Sequence, residues 1–480
     1  MMTKRDDLST TGGMSAPPMR PGAVLSCRAV LPRRAVLVGG LGALALPLAG
    51  CGMFDEEKKP VLLGRREDVL SVGAGLVVDA DDTTPIVLPA VVENPDWQQP
   101  GRVQSHESIN AQVGSAEGRN PLEHGINRLW TASLGSGTAD RGVLGAEPVV
   151  ADGHVFAMDA KGVVGAFDLA TGARVWRTDT KPKKSRSSNL GGGLSYADGV
   201  VYVVDGVAES LALDAASGHV KWRVDVGTPG RSAPTISEGR MFFGTIDEKM
   251  FALDIAAGKQ IWVYQASASD TIVFGQPAPA VVGGTVLAGF GSGDIAALRA
   301  ETGELLWSDT LGSTGGRNSI LDFNSVHGLP VISDGTAYVI SVGQVLTAID
   351  LRSGRRLWER TVAGKDGLVV AGEWLFVLSQ DQQLACIDKI NGHVRWVSVL
   401  PRFRRPKPQK GAITWSGPLL ANNLLVCVSD FAKQGIITVD AATGKLLETT
   451  RIESTSGLAP IAAAGRMLVI SDDGRLSAYG

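Results

Sequence analysis

Thiol chemistry is the first possibility that the residue types of this chain raise, and their spacing restricts it. The sequence has four Cys among 480 residues. Cys27 and Cys51 lie near the N-terminus, whereas Cys386 and Cys427 lie 41 positions apart in apolar, strand-like runs. Zinc-binding and redox motifs place cysteines about two to four residues apart, so the spacing here predicts neither. We expect Cys386 and Cys427 to be buried, unpaired thiols, with a bridge between neighbouring strands as the alternative.

Histidine, glycine-rich and serine motifs do not form a catalytic set either. Two of the six His, His219 and His393, directly follow the Gly of a repeated turn, and the six show no paired spacing. Gly191-Gly-Gly193 is not followed by the Lys-Ser/Thr pair or the helical pattern of a phosphate loop. A Gly-x-Ser-x-Gly nucleophile motif is also missing from the sequence. We therefore predict a protein that is not an enzyme, binds no metal and needs no cofactor.

Cys51 stands where a lipid anchor would be attached. An apolar run of about 14 residues, Ala35 to Leu48, follows the basic Arg33-Arg34 pair, and it is too short to span a bilayer. A basic flank, a short apolar core and a small-residue end are typical of a signal peptide. Leu48-Ala49-Gly50-Cys51 resembles a bacterial lipobox. We predict that residues 1–50 are removed, by the general or the twin-arginine export route, and that Cys51 becomes an acylated N-terminus.

The charge balance argues against general nucleic-acid binding. The formal net charge is −3, and because residues 1–50 hold six Lys or Arg and two Asp, the remaining chain is near −7. Two basic segments, residues 181–186 and 402–410, stand out from this background. They are interpreted either as solvated loops or as sites of attraction to anionic lipid headgroups or to an acidic partner.

A repeated element must position all of these side chains. The motif Asp-x-x-(Thr/Ser/Ala)-Gly-x-x-x-Trp recurs seven times, with Arg299 in place of Asp in the fourth copy and Glu448 in place of Trp in the seventh. Its glycines are 38 to 52 residues apart, the length of a four-stranded propeller blade. The repeat residues are Gly172 and Trp176, Gly218 and Trp222, Gly258 and Trp262, Gly303 and Trp307, Gly354 and Trp358, Gly392 and Trp396, and Gly444.

Each part of the motif has a physical role that predicts the fold. The Asp can accept hydrogen bonds from backbone N–H groups in the turn, and the Gly can adopt a positive φ that other residues resist. The Trp ring can pack between blades. Alternating strands and a second turn precede each motif, as in Ala151-Asp-Gly153, which gives four strands per unit. The predicted fold is an all-β propeller.

The chain ends determine the predicted number of blades. Residues 458–479 supply three more strands, and Leu129–Leu134, which contains Trp130, supplies a strand that closes the last blade. We therefore predict eight blades over residues 129–480, after a signal peptide (1–50) and an extension that carries the lipid (51–128). Within that extension, residues 86–92 are expected to form an outer strand or to wrap against the ring, and residues 101–124 to form a surface loop.

The repeat behind a lipoprotein signal resembles the BamB family of the bacterial outer-membrane β-barrel assembly (BAM) machinery. The resemblance covers residues 61–480 and includes Gly192–Gly199, Ser232–Thr235 and the Asn318–Asn324 loop. It implies a non-catalytic monomer within a hetero-complex, bound to the periplasmic (POTRA) domains of BamA and to other BAM subunits. Gly52 is not the Asp that retains many lipoproteins in the inner membrane, so we expect an outer-membrane anchor and a periplasmic location.

The resemblance also implies which residues meet the partner. Family contacts come from two loops between blades, matched here by residues 226–231, with Thr228 and Arg231, and by the segment with Arg317, Asp322 and Asn324. Arg231 offers donors for a carboxylate, and Asp322 offers an acceptor for a basic group. Solvated loop polarity is the alternative interpretation of each residue.

Two other classes of protein share the repeat and remain as alternatives. A quinone-dependent dehydrogenase of the pyrroloquinoline-quinone (PQQ) class would use adjacent cysteines beneath the quinone and carboxylates that bind calcium, and this sequence has no Cys-Cys pair. A periplasmic propeller that binds a cell-wall or polysaccharide ligand would use the central channel.

Overall fold

Residues 75–480 are described by the computed structural model, apart from 116–117, 140–141, 143, 183–188, 190, 270–274 and 313–323. Cys51 therefore lies outside the described residues. The regular secondary structure of the described residues is almost entirely β-strand, and their one helix, α1 (Pro121–His124), has four residues. It includes no helix that is long and apolar enough to cross a membrane. Residues 67–480 form one compact unit.

The chain forms a β-propeller, and its described residues include seven antiparallel four-stranded sheets and one six-stranded sheet, each of which we call a blade. Before the first blade come β1 (Val91–Val92), β2 (Asn110–Ala111) and β3 (Arg128–Ser133). Blade 1 has β4 (Val149–Ala151), β5 (His154–Met158), β6 (Val163–Asp168) and β7 (Arg174–Asp179). Blade 2 has β8 (Gly192–Ala197), β9 (Val200–Asp205), β10 (Glu209–Asp214) and β11 (Val220–Asp225). Blade 3 has β12 (Thr235–Ser237), β13 (Arg240–Gly244), β14 (Lys249–Asp254) and β15 (Gln260–Gln265). Blade 4 has β16 (Ala280–Val282), β17 (Thr285–Gly289), β18 (Asp294–Arg299) and β19 (Leu305–Thr310).

The second half repeats this plan with one insertion. Blade 5 has β20 (Val331–Ser333), β21 (Thr336–Ile340), β22 (Leu346–Asp350) and β23 (Arg356–Arg360). Blade 6 has β24 (Val369–Ala371), β25 (Trp374–Leu378), β26 (Gln383–Asp388) and β27 (Val394–Val399). A separate hairpin, β28 (Phe403–Arg405) and β29 (Lys410–Ala412), follows. Blade 7 has β30 (Trp415–Ala421), β31 (Leu424–Ser429), β32 (Ile436–Asp440) and β33 (Leu446–Thr450), and β1 and β2 extend its sheet. Blade 8 has β34 (Ile461–Ala463), β35 (Arg466–Ser471) and β36 (Arg475–Tyr479), with β3 as its fourth strand.

Eight clusters of buried apolar side chains form the core, and each lies between two successive blades. Phe156 of blade 1 shares a cluster with Leu211 of blade 2, for example. The last cluster joins Leu468 of blade 8 to Phe167 of blade 1. Burial of these clusters is the main force that holds neighbouring blades together. The series of apolar contacts between successive blades therefore ends at blade 1, where it begins.

Blade 8 takes its fourth strand from the N-terminal side of the chain. β3 pairs antiparallel with β36, and Trp130 lies opposite Ala478. Beyond the pair, the N–H of Gly480 donates to the carbonyl of Asn127 at 3.0 Å. The third and fourth strands of blade 8 are thus joined by hydrogen bonds alone, whereas a covalent turn joins these strands in the other blades.

Residues 94–113, which we call the N-terminal band, run past the first strand of every blade. The band lies at the end of the strands where the first strand turns into the second. The inner edges of the first strands would otherwise expose unpaired backbone groups. The hydrogen-bonded pairs, in blade order, are Trp97 with Val150, Gln98 with Tyr196, Gln99 with Ile236, Gln104 with Val281, Ser105 with Ile332, Ser108 with Val370, Ala111 with Asn422, and Asn94 with Ala464.

The expectation of a surface loop over residues 101–124 is wrong for residues 101–113, which belong to the band, whereas residues 115, 118–119 and 123–124 are exposed. His106, Asn110 and Val113 are at most 2 % exposed. The Gln, Asn and Ser residues of this stretch suggested a solvated loop because polar groups usually face water. Here their polar atoms and the adjacent backbone bond to strand edges instead.

Candidate functional site

The repeated motif makes the same contact between each of seven successive pairs of blades. A Trp indole N–H donates to a backbone oxygen in the motif turn of the next blade, at 2.7–3.1 Å. The Gly of that turn has a positive φ, and a Cβ added there would lie 2.5–2.8 Å from the Trp ring. A side chain therefore does not fit. The pairs are Trp130–Gly172, Trp176–Gly218, Trp222–Gly258, Trp262–Gly303, Trp307–Gly354, Trp358–Gly392 and Trp396–Gly444.

The first residue of the motif secures the turn itself. Asp168 Oδ1 accepts hydrogen bonds from the Thr171 backbone at 2.8 Å and from the Thr171 hydroxyl at 2.6 Å. These bonds hold the pKa of the exposed Asp168 carboxyl below its usual value. Glu448 replaces Trp in blade 7, whose neighbour has the Asn127–Gly480 junction instead of a motif turn. The exception in the repeat thus coincides with the non-covalent junction between β36 and β3 in blade 8.

The three predicted partner-binding residues that the structure describes are on the side of the propeller opposite these turns. That side, which we call the docking face, consists of the connections between successive blades and the turns between second and third strands. Thr228 and Arg231 lie between blades 2 and 3, and Asn324 lies between blades 4 and 5. Arg317 and Asp322 lie outside the described residues.

Arg231 and Thr228 are directed inward. Each is 7 % exposed. The Thr228 hydroxyl donates to Asp247 Oδ1 at 2.9 Å, and the Arg231 backbone N–H donates to the Gly244 carbonyl at 2.9 Å. Burial lowers the pKa of Arg231, and its charged neighbour is Glu248, whose own pKa is raised by burial. The Thr228 side chain and the Arg231 backbone therefore hold the loop in place, and direct contact with a partner remains a prediction for both residues.

Asn324 is half-buried and packs among three glycines. A Cβ added at Gly293 would lie 2.6 Å from the Asn324 carbonyl oxygen, and one added at Gly343 would lie 2.8 Å from its side-chain Oδ1. At Gly312 the corresponding distance to Asn324 Nδ2 is 3.2 Å. Asn324 thus fixes the base of the connection between blades 4 and 5.

Two titratable side chains that sequence reasoning missed share a cavity of about 60 Å³ beneath the N-terminal band. His106 Nδ1 donates to the Pro330 carbonyl at 2.7 Å, and burial lowers the pKa of His106 to about 4. Burial raises the pKa of Glu147 to about 7. Within the described residues neither His106 Nε2 nor Glu147 Oε2 has a hydrogen-bond partner. The cavity has room for about two waters, which is a volume suited to solvent rather than to a substrate.

The repeat contained a signal for Glu147. An uncharged residue precedes Pro at the equivalent position of several other blades, as in Ala233-Pro234, Ala278-Pro279, Leu329-Pro330 and Ala459-Pro460. Glu147-Pro148 is the charged exception. Alignment of the blades by this dipeptide would have identified Glu147 before the structure.

The thiols have packing roles. Cys386 and Cys427 are free and buried, which excludes the alternative of a bridge between them. Burial raises the pKa of both thiols and so disfavours the reactive thiolate. Cys386 lies opposite Trp396, where blade 1 has Ala166 opposite Trp176. In the part of the chain that the structure describes, no three His, Cys, Asp or Glu come together as metal ligands.

Comparison with known proteins gives one consistent family. The family model described as outer membrane protein assembly factor BamB matches residues 127–186 and 160–398. The chain is 30 % identical over 403 residues to the outer membrane protein assembly factor BamB of Xanthomonas campestris, covering 74 % of this chain and 86 % of that protein.

Two solved structures share the fold. BamB from Moraxella catarrhalis matches with a TM-score of 0.62 and 18 % identity, covering 74 % of this chain and 99 % of that one. Quinohemoprotein alcohol dehydrogenase from Comamonas testosteroni matches with a TM-score of 0.61 and 16 % identity, covering 80 % of each chain. At these identities both matches establish the propeller fold alone.

Proposed function

The chain belongs to the family of the outer membrane protein assembly factor BamB, and from that premise we propose that it is a non-catalytic scaffold of the BAM complex. In this role it aids the folding and insertion of outer-membrane proteins. The observation that carries the proposal is the match to relatives named for this assembly role over about three quarters of the chain.

The proposal includes a partner and a location. The partners are the periplasmic POTRA domains of BamA and the other BAM subunits, and the protein is a monomer within that complex. An acyl chain on Cys51 holds it at the periplasmic side of the outer membrane, as the Leu48–Cys51 sequence suggests. Mass spectrometry of the N-terminus tests the anchor, because an unmodified Cys51 would contradict it.

An eight-bladed ring is the architecture that we propose for this scaffold. The apolar cluster between blades 8 and 1 supports it, as does the Trp130 contact with Gly172. A closed ring leaves no open sheet edge and presents its connections as a rigid rim, which suits loops that bind a partner.

The docking face between blades 2 and 5 is the proposed contact with BamA. Arg231 is buried, so reversing its charge would also disturb the fold. Asp247 is exposed, lies beside Thr228, and therefore reports on the same loop. It pairs with Lys249 at 2.6 Å, and that ion pair on the surface is worth little to stability.

The test is capture of this protein by the purified BamA periplasmic domains. We expect the double variant Asp247→Lys and Asp322→Lys to lose roughly thirtyfold or more in affinity, the effect of removing a hot spot. The matched control is Glu301→Lys and Glu373→Lys, which reverses two exposed carboxylates on the opposite side. Circular dichroism must show both variants folded. Equal capture of the two variants would exclude this part of the docking face.

A further inference from the structure

A basic hairpin projects from the connection between blades 6 and 7, on the docking face. It comprises residues 402–412, and its strands pair Phe403 with Ala412 and Arg405 with Lys410. This stretch has no Asp or Glu. Its five cations are Arg402, Arg404, Arg405, Lys407 and Lys410.

The base of the basic hairpin is fixed, and its tip faces solvent. The Arg404 guanidinium lies 4.8 Å from the ring centroid of Phe431 in blade 7, and the Ile413 N–H donates to the Arg402 carbonyl at 2.9 Å. Every residue from 404 to 412 is exposed. Among the described residues, none of the five cations forms an ion pair. The positive charge is therefore presented outward on an ordered element.

The proposed lipid tether enters the propeller on the same side. Gly75 lies against the backbone of Thr361, at the start of the connection between blades 5 and 6, and Leu76 is buried in the cluster of those blades. The sequence has 23 residues between Cys51 and Gly75. The proposed anchor is thus joined in sequence to the part of the propeller next to the connection between blades 6 and 7.

We infer that the basic hairpin binds the surface of a membrane that contains anionic phospholipids. Clustered Lys and Arg are attracted to such surfaces within about a Debye length of the headgroups. The inference rests on the proposed membrane location for its biological setting. The hairpin orients the docking face relative to the bilayer, because it adds a second membrane contact to that of the acyl chain.

The experiment measures flotation of residues 67–480 with lipid vesicles. This fragment contains all eight core clusters and omits the anchor, so binding reports on the protein surface. We expect it to float with vesicles of phosphatidylethanolamine and phosphatidylglycerol and not with phosphatidylcholine alone. Each cation near the surface strengthens binding about fivefold. The variant Arg405→Gln, Lys407→Gln, Lys410→Gln should therefore bind roughly a hundredfold more weakly.

The matched control is Lys221→Gln, Lys259→Gln, Lys445→Gln, which removes three exposed cations from the opposite side. It should bind anionic vesicles like the unmodified fragment. Flotation of the hairpin variant equal to that of the control would overturn the inference, as would failure of the unmodified fragment to float. If the hairpin variant instead loses capture by BAM subunits in the absence of lipid, the basic hairpin recognises an acidic protein surface and the lipid inference is wrong. If the Asp247 variant loses BamA capture but still binds vesicles, the BamA contact and the lipid contact use different residues, and the two proposals can be judged independently.

Discussion

At the residue scale, the motif glycines combine two constraints that ordinary turn glycines do not. Gly218 has φ +72°, and a Cβ added there would lie 2.5 Å from the ring of Trp176. Gly199 has φ +77°, yet an added Cβ there would meet nothing within 4 Å. The two glycines therefore share the same backbone conformation, but only Gly218 packs against a side chain of the neighbouring blade.

We expect Gly199→Ala to lower the free energy of unfolding by about 1–2 kcal/mol, the cost of a left-handed non-glycine residue. Gly218→Ala should cost at least about 1 kcal/mol more, because the methyl group must displace the Trp176 ring and its hydrogen bond to Ala215. Urea unfolding of both variants measures the difference. Equal destabilisation of the two variants would mean that the Trp176 ring moves aside without a loss of stability.

Glu147 is a second residue whose behaviour follows from its surroundings. Burial raises the pKa of the Glu147 carboxyl from its ordinary value of 4.5 to about 7 in the folded state, so the folded state holds this proton more tightly than the unfolded state does. The corresponding stability is present below pH 4.5 and is lost as the pH rises through about 7. Glu147→Gln should remove this loss and stabilise the protein at pH 8 more than at pH 4.5.

Thermal unfolding between these pH values tests the prediction, with the exposed Glu301→Gln as control. His106 acts in the opposite direction, since its pKa is lowered to about 4 and it must remain neutral in its cavity. Comparison of each variant with the parent at the same pH therefore isolates the Glu147 contribution. A Glu147→Gln profile parallel to that of the parent would show that the carboxyl is well solvated.

At the scale of elements, β3 supplies the fourth strand of blade 8, a strand that follows a covalent turn in the other blades. Its Trp130 donates to the Leu169 carbonyl at 3.0 Å and packs on Gly172 of blade 1. The same strand pairs with β36 of blade 8. One six-residue strand thus joins the first and last blades, which are otherwise far apart in sequence.

Trp130→Ala should lower the free energy of unfolding by about 3 kcal/mol, at the lower end for Trp truncation because the side chain is only partly buried. Leu129→Ala is the control on the same strand, since Leu129 is 51 % exposed. Hydrogen exchange should show faster opening of β36 in the Trp130 variant and not in the Leu129 variant. An unchanged thermal transition for Trp130→Ala would mean that ring closure does not depend on this contact.

At the scale of the whole molecule, the N-terminal band changes how the blades cooperate. Blades in a repeat protein contact their neighbours alone. The band bonds to each of the eight sheets, at the first strand or at the turn that follows it. Gln99 provides one such bond through its side chain, with Oε1 accepting from the Ile236 N–H at 2.7 Å and Nε2 donating to the Ile236 carbonyl at 3.1 Å.

Gln99→Ala should cost about 1–3 kcal/mol, because it leaves the backbone groups of Ile236 unsatisfied. The adjacent Gln98→Ala is the control, since Gln98 meets blade 2 through its backbone carbonyl rather than its side chain. Urea unfolding measures both changes. Faster exchange of the Ile236 amide in the Gln99 variant alone would locate the effect at the band, and identical curves for the two variants would contradict a role for the side chain.

The sequence by itself determined the features that depend on contacts within one repeat. The Asp-to-Gly turn spans five residues and repeats with little change, so turn chemistry and period identified four-stranded blades and a propeller. The strand around Trp130 was recognisable because it lacked its own blade. Family membership followed from the same repeat together with the Leu48–Cys51 motif.

The tertiary structure decided which side chains face outward and which distant residues meet. The resemblance to the family implied that Arg231 meets a partner, and the structure adds that its side chain is buried near Glu248 while its backbone N–H bonds to Gly244. Glu147 meets the His106 cavity across 41 positions of chain. The band looked like a solvated loop, since its composition cannot reveal that eight strand edges surround it. Local pattern fixes conformation, whereas burial depends on which surfaces the closed ring brings together.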